Sequence, residues 1–198
     1  MQTTFPLQIG AIGNVQDLSR TWTGKVSLAV GATAFVALCA HISFPLYFTP
    51  VPVTLQTMAV ILVGLVLGPS LGAAAMLLYL AEGAMGLPVF SPHGLGGIAQ
   101  LLGPTAGYLF SYPLAAAAAG SVVRAVRVGQ SKLAAAVLAG ICASVFFFAM
   151  GAGWFAHLFH LNFVAACRLS VVPFLPGEVL KIAAAATTYA SLNRGHRS

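Results

Sequence analysis

Long apolar runs, broken by proline, glycine and basic residues, constrain this sequence more than any other feature. Hydrophobic residues make up 59% of the 198 residues and charged residues 6%, whereas an average soluble domain has roughly 25% charged residues. So few charges cannot cover a surface that faces water. We therefore expect an integral membrane protein, built of helices that are apolar on nearly every side.

Six of these runs are long enough to be membrane spans, since a span needs roughly 20 apolar residues and somewhat fewer in a short helix. We predict an all-α bundle of six transmembrane helices, at about 26–44, 53–68, 70–86, 104–123, 133–151 and 174–192. The first run is longer than the core of a signal peptide and is predicted to stay in the protein. Residues 1–24 then form an N-terminal cytoplasmic segment, and residues 25–198 form a single membrane domain.

Basic residues determine the predicted orientation, because loops rich in lysine and arginine stay in the cytoplasm. They cluster before span one, between spans four and five, and after span six: Arg20, Lys25, Arg124, Arg127, Lys132, Arg194 and Arg197. Six spans put all seven on one side and place both termini in the cytoplasm. The half-apolar stretch 154–172 is predicted to be an interfacial or re-entrant helix, with a seventh span as the alternative.

Three connections then lie on the outer side, at 45–52, 87–103 and 152–173. They are rich in proline, glycine and aromatic residues, and irregular backbone at membrane depth is tolerated only when it is buried in protein or lines a cavity. We predict that these loops form a lid over a small-molecule pocket. The alternative is that they lie at the membrane interface, where aromatic residues are common.

Two ionisable residues of the segment "PFLPGEVLK", Glu178 and Lys181, are candidates for a ligand site. The chain has only three acidic residues, and an ionisable group within a span is costly and usually faces the bundle interior. Residues three apart share a helix face, so the pair would present an acceptor and a cation to one ligand. In the alternative, Glu178 only complements the helix dipole near the start of the last span, which leaves Lys181 unexplained.

Four further polar residues are candidates by their position or spacing. Glu82, near the outer end of span three, would accept a hydrogen bond from a ligand, support a loop, or be buried in its protonated form. His93, in the following loop, is a candidate ligand contact by position alone. His157 and His160 have the spacing of metal ligands, but no Cys or carboxylate lies beside them, which favours an interfacial pair over a metal site.

Motifs typical of catalysis or nucleotide binding find no support in the sequence. Ser70 lies in a G-x-S-x-G pattern, but on the predicted cytoplasmic turn, whereas four of the five histidines fall on the outer side. Gly64, Gly68 and Gly72 indicate close helix packing instead. The sequence lacks G-x-x-x-x-G-K-[ST], so we expect no ATP binding through a P-loop. We also expect no metal, no cofactor and no disulfide among the three scattered cysteines.

Three segments, in this order, resemble one family. They are "VPVTLQTMAVILVGLVLGPSLGAAAMLLYLAEGAMGLPVF" (51–90), "GGIAQLLGPTAGYL" (96–109) and "PFLPGEVLK" (173–181), and they resemble the BioY family, the biotin-specific S components of energy-coupling factor (ECF) transporters. The resemblance implies a six-helix membrane protein that captures biotin from outside. It also implies two kinds of partner, a transmembrane coupling (T) protein and a pair of ABC-type ATPases, which alone would use ATP.

Resemblance and position together give a predicted biotin site of six residues: Glu178, Lys181, Glu82, His93, Gln56 and Tyr108. The family usually has aspartate in place of Glu178. Biotin offers a ureido group with donors and an acceptor, together with a carboxylate. Lys181 is expected to pair with the carboxylate or the ureido oxygen, and Glu178 to accept a ureido N–H. Polar contacts that some relatives make from the loop after span three and from position 109 are not carried over to this chain, because the loop reads "SPHGLGG" and position 109 is Leu109.

Small residues recur every four positions on one face of span one, at Ala29, Thr33 and Ala37. S components are similar in using small-residue faces of this helix to dock on the coupling protein, so these residues form a predicted docking face. The alternative is that they serve ordinary packing within the bundle.

The sequence therefore predicts a biotin-capture subunit in the bacterial cytoplasmic (inner) membrane, without enzyme activity. The alternative is a self-sufficient, proton-coupled secondary transporter of a small carboxylate-bearing vitamin. In that case Glu82 or Glu178 would carry the proton.

Overall fold

Helices dominate the computed structural model, which describes Val15, residues 17–126 and residues 131–193. The helices are α1 (Trp22–His41), α2 (Gln56–Leu67), α3 (Pro69–Ala84), α4 (Gly97–Gln100), α5 (Ala106–Ala125), α6 (Lys132–Leu158), α7 (Phe163–Ser170) and α8 (Leu175–Leu192). A 3-10 turn, Val172–Phe174, joins α7 to α8. Arg127, Arg194, Arg197 and most of the predicted N-terminal segment lie outside the described residues.

Four helical segments are long and apolar enough to cross a membrane, judged by length and composition: Trp22–His41, Ala106–Ala125, Lys132–Leu158 and Phe163–Leu192. The predicted helical membrane protein is thereby confirmed. Each of the six predicted spans overlaps a helix, although α2 has only 12 residues and α3 only 16. The protein is a multi-pass membrane protein whose central helices are short.

Several of these helices have a hydroxyl or amide side chain as the N-cap. Thr21 accepts a hydrogen bond from the backbone N–H of Gly24, Ser131 from that of Ala134, and Asn162 from that of Ala165. Each bond satisfies an N–H group that has no partner inside the helix. These capping residues explain where α1, α6 and α7 begin, which apolar composition alone does not define.

The start of the predicted interfacial segment 154–172 belongs to α6, which continues as far as Leu158. Gly107 and Gly151 allow this extension, because they bring α5 and α6 into close contact. A Cβ atom at Gly107 would lie 2.4 Å from that of Trp154. The rest of the segment forms α7, whose eight residues are too few to cross a membrane alone. A separate seventh span is therefore not what the structure shows.

Residues 45–52 were predicted to be a loop, but the structure has an antiparallel hairpin of β1 (Ser43–Leu46) and β2 (Thr49–Thr54). Ser43 pairs with Thr54, and Leu46 with Thr49. Prolines are tolerated because both strands of a two-stranded sheet have a free edge. The all-α prediction therefore misses this hairpin, which lies at the same end of the bundle as residues 85–105 and α7. We refer to that end as the loop end.

The core lies around α2, which packs against α1, α3, α5, α6 and α8. Gly64 permits the closest approach, since a Cβ atom there would lie 2.4 Å from the carbonyl oxygen of Ala116 on α5. Gly72 packs against Gly64 in turn, as predicted for this glycine series. Gly68 serves another purpose: its φ of 82° allows the sharp turn between α2 and α3.

Candidate ligand-binding site

A cavity of about 600 Å³, open space at its mouth included, lies at the loop end of the bundle. Its wall is formed by β2, the first turn of α2, the loop after α3, and parts of α5, α6 and α8. Four of the six predicted site residues line the cavity: Gln56, Tyr108, Glu178 and Lys181.

Glu178 and Lys181 form a buried ion pair in this cavity wall. Oε2 of Glu178 lies 3.5 Å from Nζ of Lys181, and the two residues are 4% and 8% exposed. Both belong to the first two turns of α8, where their spacing of three residues puts them on one face. Buried charges are stable only when paired and hydrogen-bonded, and the neighbouring helices supply those bonds.

Two hydroxyl side chains complete the ion pair. Thr57 on α2 donates to Oε2 of Glu178 at 3.0 Å and accepts from Nζ of Lys181 at 3.2 Å. Ser144 on α6 donates to Oε1 of Glu178 at 2.9 Å. The carboxylate is thus directed into the bundle, where it joins α2, α6 and α8. Glu178 also lies in the first turn of α8, so both interpretations of this residue remain predictions.

Gln56 positions the wall of the cavity next to this pair. Its Nε2 donates to the hydroxyl of Tyr79 at 2.6 Å, and that hydroxyl donates to the carbonyl oxygen of Val89 at 2.7 Å. The chain of bonds joins α2, α3 and the loop after α3. Gln56 lies at the start of α2 and is 4% exposed, so its fixed amide forms part of the buried polar lining.

Tyr108 on α5 holds the opposite wall. Its hydroxyl donates to the carbonyl oxygen of Ser170, at the end of α7. The ring rests on Gly151 of α6, where an added Cβ atom would lie 2.3 Å from the ring. Tyr108 therefore contributes an aromatic surface to the cavity, and its polar atom is used to fix α7.

Aromatic rings connect the two sides of the cavity. Tyr79 lies edge-on to Phe90 with 5.5 Å between ring centroids, Tyr79 and Tyr112 are 6.3 Å apart, and Tyr112 and Phe147 are 5.7 Å apart. We call these four residues the aromatic row. Three of them, Phe90, Tyr112 and Phe147, line the cavity, where aromatic rings give an apolar ligand a rigid surface.

Several polar residues of the site were not predicted. Gln100, on α4, is 5% exposed and donates from Nε2 to the hydroxyl of Thr105 at 2.8 Å. Both residues line the cavity, as does Ser91. These residues lie in the "SPHGLGG" segment or shortly after it. Polar residues in a predicted lid are expected to face the ligand, so their position could have identified them. Thr57 was adjacent to a predicted residue, and Ser144 stood within an apolar span.

Glu82 and the predicted docking residues lie elsewhere in the bundle. Oε1 of Glu82, on α3, accepts a hydrogen bond from the Thr33 hydroxyl on α1 at 3.1 Å. Thr33 is 2% exposed, and Ala29 and Ala37 are half-buried against the core. The geometry thus favours a supporting role for Glu82 and the packing alternative for all three α1 residues.

The histidines also lie outside the cavity. His93 lines a neighbouring cavity, where its Nε2 is 3.4 Å from the carbonyl oxygen of Ser43. His157 packs against Trp154 with 6.3 Å between ring centroids, and His160 follows the end of α6. Within the described ranges, no group of three or more His, Cys, Asp or Glu side chains is arranged to hold a metal ion.

Known proteins with a similar sequence share one family. The model of the BioY family matches residues 11–198. The probable biotin transporter BioY of Pyrococcus horikoshii is 38% identical over 161 residues, covering 81% of this chain and 91% of the relative. The biotin transporter BioY of Rhizobium etli is 38% identical over 169 residues, covering 81% and 88%.

A solved structure has the same fold. It is the S-component for biotin from an ECF-type ABC transporter, which superposes with a TM-score of 0.79 over 91% of this chain and 94% of that chain, at 24% sequence identity. At this identity the likeness concerns the fold. The family match over almost the whole chain, together with relatives of 38% identity, shows that this protein belongs to the BioY family.

Proposed function

We propose that this chain captures biotin and carries it across the cytoplasmic membrane as the S component of an ECF transporter. The observation that supports this most directly is the buried Glu178–Lys181 pair in the wall of an aromatic-lined cavity. A BioY-family chain with such a cavity needs no catalytic group. The protein is a transporter subunit and not an enzyme.

The chemistry of biotin suits this cavity. Its sulfur-containing ring and aliphatic chain are apolar and match the rings of Tyr112, Phe147 and Phe174. Its ureido group has two N–H donors and one carbonyl acceptor. Glu178 accepts from donors and Lys181 donates to an acceptor, so the pair matches both halves of that group. A ureido N–H and the ureido carbonyl thereby each obtain a partner, as affinity in a dry site requires.

A transporter of the ECF class is driven by ATP, and this sequence has no P-loop with which to bind it. We infer that a transmembrane T protein and a pair of ABC-type ATPases supply this activity. The fold shared with a biotin S-component supports partners of the ECF class. The T protein and the ATPases themselves are proposed from the family alone.

We propose six membrane crossings with both termini in the cytoplasm, residues 1–24 as a cytoplasmic segment and residues 25–198 as one domain. Lys132 supports this arrangement, since its Nζ donates to the carbonyl oxygen of Asn193 at 2.7 Å. The start of α6 and the end of α8 therefore lie together, away from the loop end. Reporters fused to either terminus should both be cytoplasmic, and a reporter within residues 87–103 should be outside.

Binding and uptake test the proposed function. The purified chain in detergent should bind biotin more tightly than other small vitamins. Vesicles that contain the chain, the T protein and the ATPases should accumulate biotin only when ATP is supplied. Uptake by the chain alone that a protonophore abolishes would instead support a proton-coupled secondary transporter, and failure to bind biotin would refute the proposal.

A further inference from the structure

An open groove lies between α6, α7 and α8, on the outside of the bundle. Its volume is about 880 Å³, open space included. Each helix contributes side chains that are exposed there, among them Val145 on α6, Phe163 on α7 and Val179 on α8. The described residues leave this apolar surface uncovered, so whatever covers it lies outside them.

Water does not suit the chemistry of this groove. Its lining residues are apolar except for Ser144 and Glu178, if the Cys167 thiol is counted as a small hydrophobic group. The Ser144 hydroxyl donates to Oε1 of Glu178 at 2.9 Å, and both residues are buried. A bound water needs about two to four polar partners, but these two polar side chains are already bonded to each other. The groove therefore requires an apolar occupant.

The depth of the groove identifies that occupant as a lipid chain. On α6 the lining residues run from Ile141 to Ala149, in the middle of a helix of 27 residues that is long and apolar enough to cross a membrane. This stretch rises about 12 Å at ~1.5 Å per residue. The middle of such a helix lies in the hydrocarbon layer of the bilayer, where the surrounding molecules are acyl chains.

Arg168, in the last turn of α7, provides a contact for the headgroup of the same lipid. It is exposed and directly follows Cys167, which lines the groove. The three acidic side chains of the protein are engaged elsewhere, at Asp17, Glu82 and Glu178. Arginine binds phosphate oxygens through parallel hydrogen bonds. We propose that the groove binds an acyl chain of a membrane phospholipid whose phosphate contacts Arg168.

The rim of the groove at α7 is held in place by the bundle. Ala166 and Ser170 are buried on one side of this helix, whereas Phe163 and Cys167 line the groove on another. The Tyr108 hydroxyl donates to the carbonyl oxygen of Ser170 and so fixes the end of α7. A rim that is already ordered binds a lipid chain without a large loss of its own conformational entropy.

The groove and the central cavity share a wall. Phe148 and Glu178 line both of them. The bound acyl chain therefore packs on the outer side of residues that also face the cavity. Lipid binding in the groove does not depend on which ligand the cavity takes.

The test measures lipid binding to the purified, delipidated protein by native mass spectrometry. Two probes have the same dioleoyl chains: phosphatidylglycerol, and diacylglycerol, which lacks the phosphate. Val145→Trp fills the groove and should raise the apparent Kd for both lipids about tenfold or more, because the acyl chain loses apolar contact. Arg168→Gln should raise Kd about fivefold for phosphatidylglycerol and leave the Kd for diacylglycerol unchanged.

Leu138→Trp is the matched control. Leu138 is exposed on the same face of α6 as Val145, two helical turns earlier, but it does not line the groove. This variant should bind both lipids like the parent. Val179→Trp blocks the groove from α8 and should repeat the effect of Val145→Trp. The replaced side chains are all exposed, so each variant should keep the melting temperature of the parent.

Three results would overturn the inference. Equal binding by Val145→Trp and Leu138→Trp would mean adventitious lipid only, and a parent that binds neither lipid would exclude the site. An Arg168→Gln variant that loses the same affinity for both lipids, or none, would exclude the phosphate contact. A dimer in the parent spectrum that Val145→Trp dissociates would assign the groove to a second copy of this chain instead of a lipid.

Discussion

Nζ of Lys181 lies 3.5 Å from Oε2 of Glu178, and the Thr57 hydroxyl bonds to both groups. Two opposite charges from one helix face are therefore joined through a residue of another helix. The pair has a net charge of zero and yet offers both a donor and an acceptor to a ligand. Its members are coupled, so replacing one changes the environment of the other.

Replacing Lys181 by alanine should weaken biotin binding by about 2–5 kcal/mol, the cost of removing one partner of a buried charge contact. The variant also leaves Glu178 as an uncompensated buried carboxylate, which lowers stability. Titration with biotin and thermal melting measure the two effects. Lys132→Ala is the matched control. Lys132 lies at the start of α6, away from the cavity, so this variant should bind biotin normally. A Lys181→Ala protein within threefold of the parent would exclude Lys181 from the site.

Glu178→Gln keeps the size of the side chain and one acceptor oxygen but removes the charge. We expect biotin affinity to fall by about 1.5–3 kcal/mol, because a hydrogen bond to a charged group is lost. Glu178→Asp keeps the charge and should be milder. If Glu178 acted only on the helix dipole, the glutamine variant would lose about 0.3–1 kcal/mol of stability and keep its affinity. Biotin titration and melting of the ligand-free proteins distinguish the two roles.

Thr57→Val tests the bridging hydroxyl, because valine keeps the shape of threonine without its hydrogen bonds. Biotin affinity should fall by about 1.5 kcal/mol or more, since Glu178 and Lys181 both lose a partner. Thr57→Ser should restore most of the loss. The control is Thr33→Val, which breaks the bond to Glu82 outside the cavity and should change stability without changing affinity. Similar affinity losses in both valine variants would contradict this assignment.

Gly151→Ala should destabilise the protein by about 1–3 kcal/mol, because the new methyl group overpacks the ring of Tyr108. Biotin affinity should fall as well, since Tyr108 lines the cavity. Gly153, two residues along α6, has no atom within 4 Å of an added Cβ. Gly153→Ala should therefore stabilise the helix by up to about 1 kcal/mol. Melting of both variants in detergent checks the pair, and a similar result for the two would contradict the packing described.

The helices were predictable because an apolar run of this length in a membrane must satisfy its own backbone hydrogen bonds, as a helix does. Glu178 and Lys181 were predictable because their spacing places them on one helix face whatever surrounds it. The hairpin was missed because the segment "FTPVP" is rich in proline, and the local pattern of a turn obscured the alternation in "TPVPVT". The extent of α6 was missed because Gly151 resembles a break, whereas it accommodates the Tyr108 ring.

The remaining site residues depend on contacts between distant parts of the chain. Ser144 and Thr57 bond to Glu178 only because α2, α6 and α8 meet, and sequence spacing does not encode that meeting. Glu82 illustrates the reverse case. Its depth in the bundle resembles that of Glu178, but its helix turns it toward α1 and Thr33. The sequence indicates how deep in the bundle a residue lies. Which neighbouring helix its side chain faces depends on how the helices pack.

The shortness of α2 determines where a ligand can be held. Its 12 residues rise about 18 Å at ~1.5 Å per residue, well short of the ~30 Å hydrocarbon thickness of a bilayer. The cavity begins at its first turn, at Gln56 and Thr57, and the strand β2 folds over the remaining depth. The cavity therefore occupies the depth that a longer α2 would fill. One additional helical turn before Gln56 would fill the cavity and leave the outer surface of the bundle unchanged.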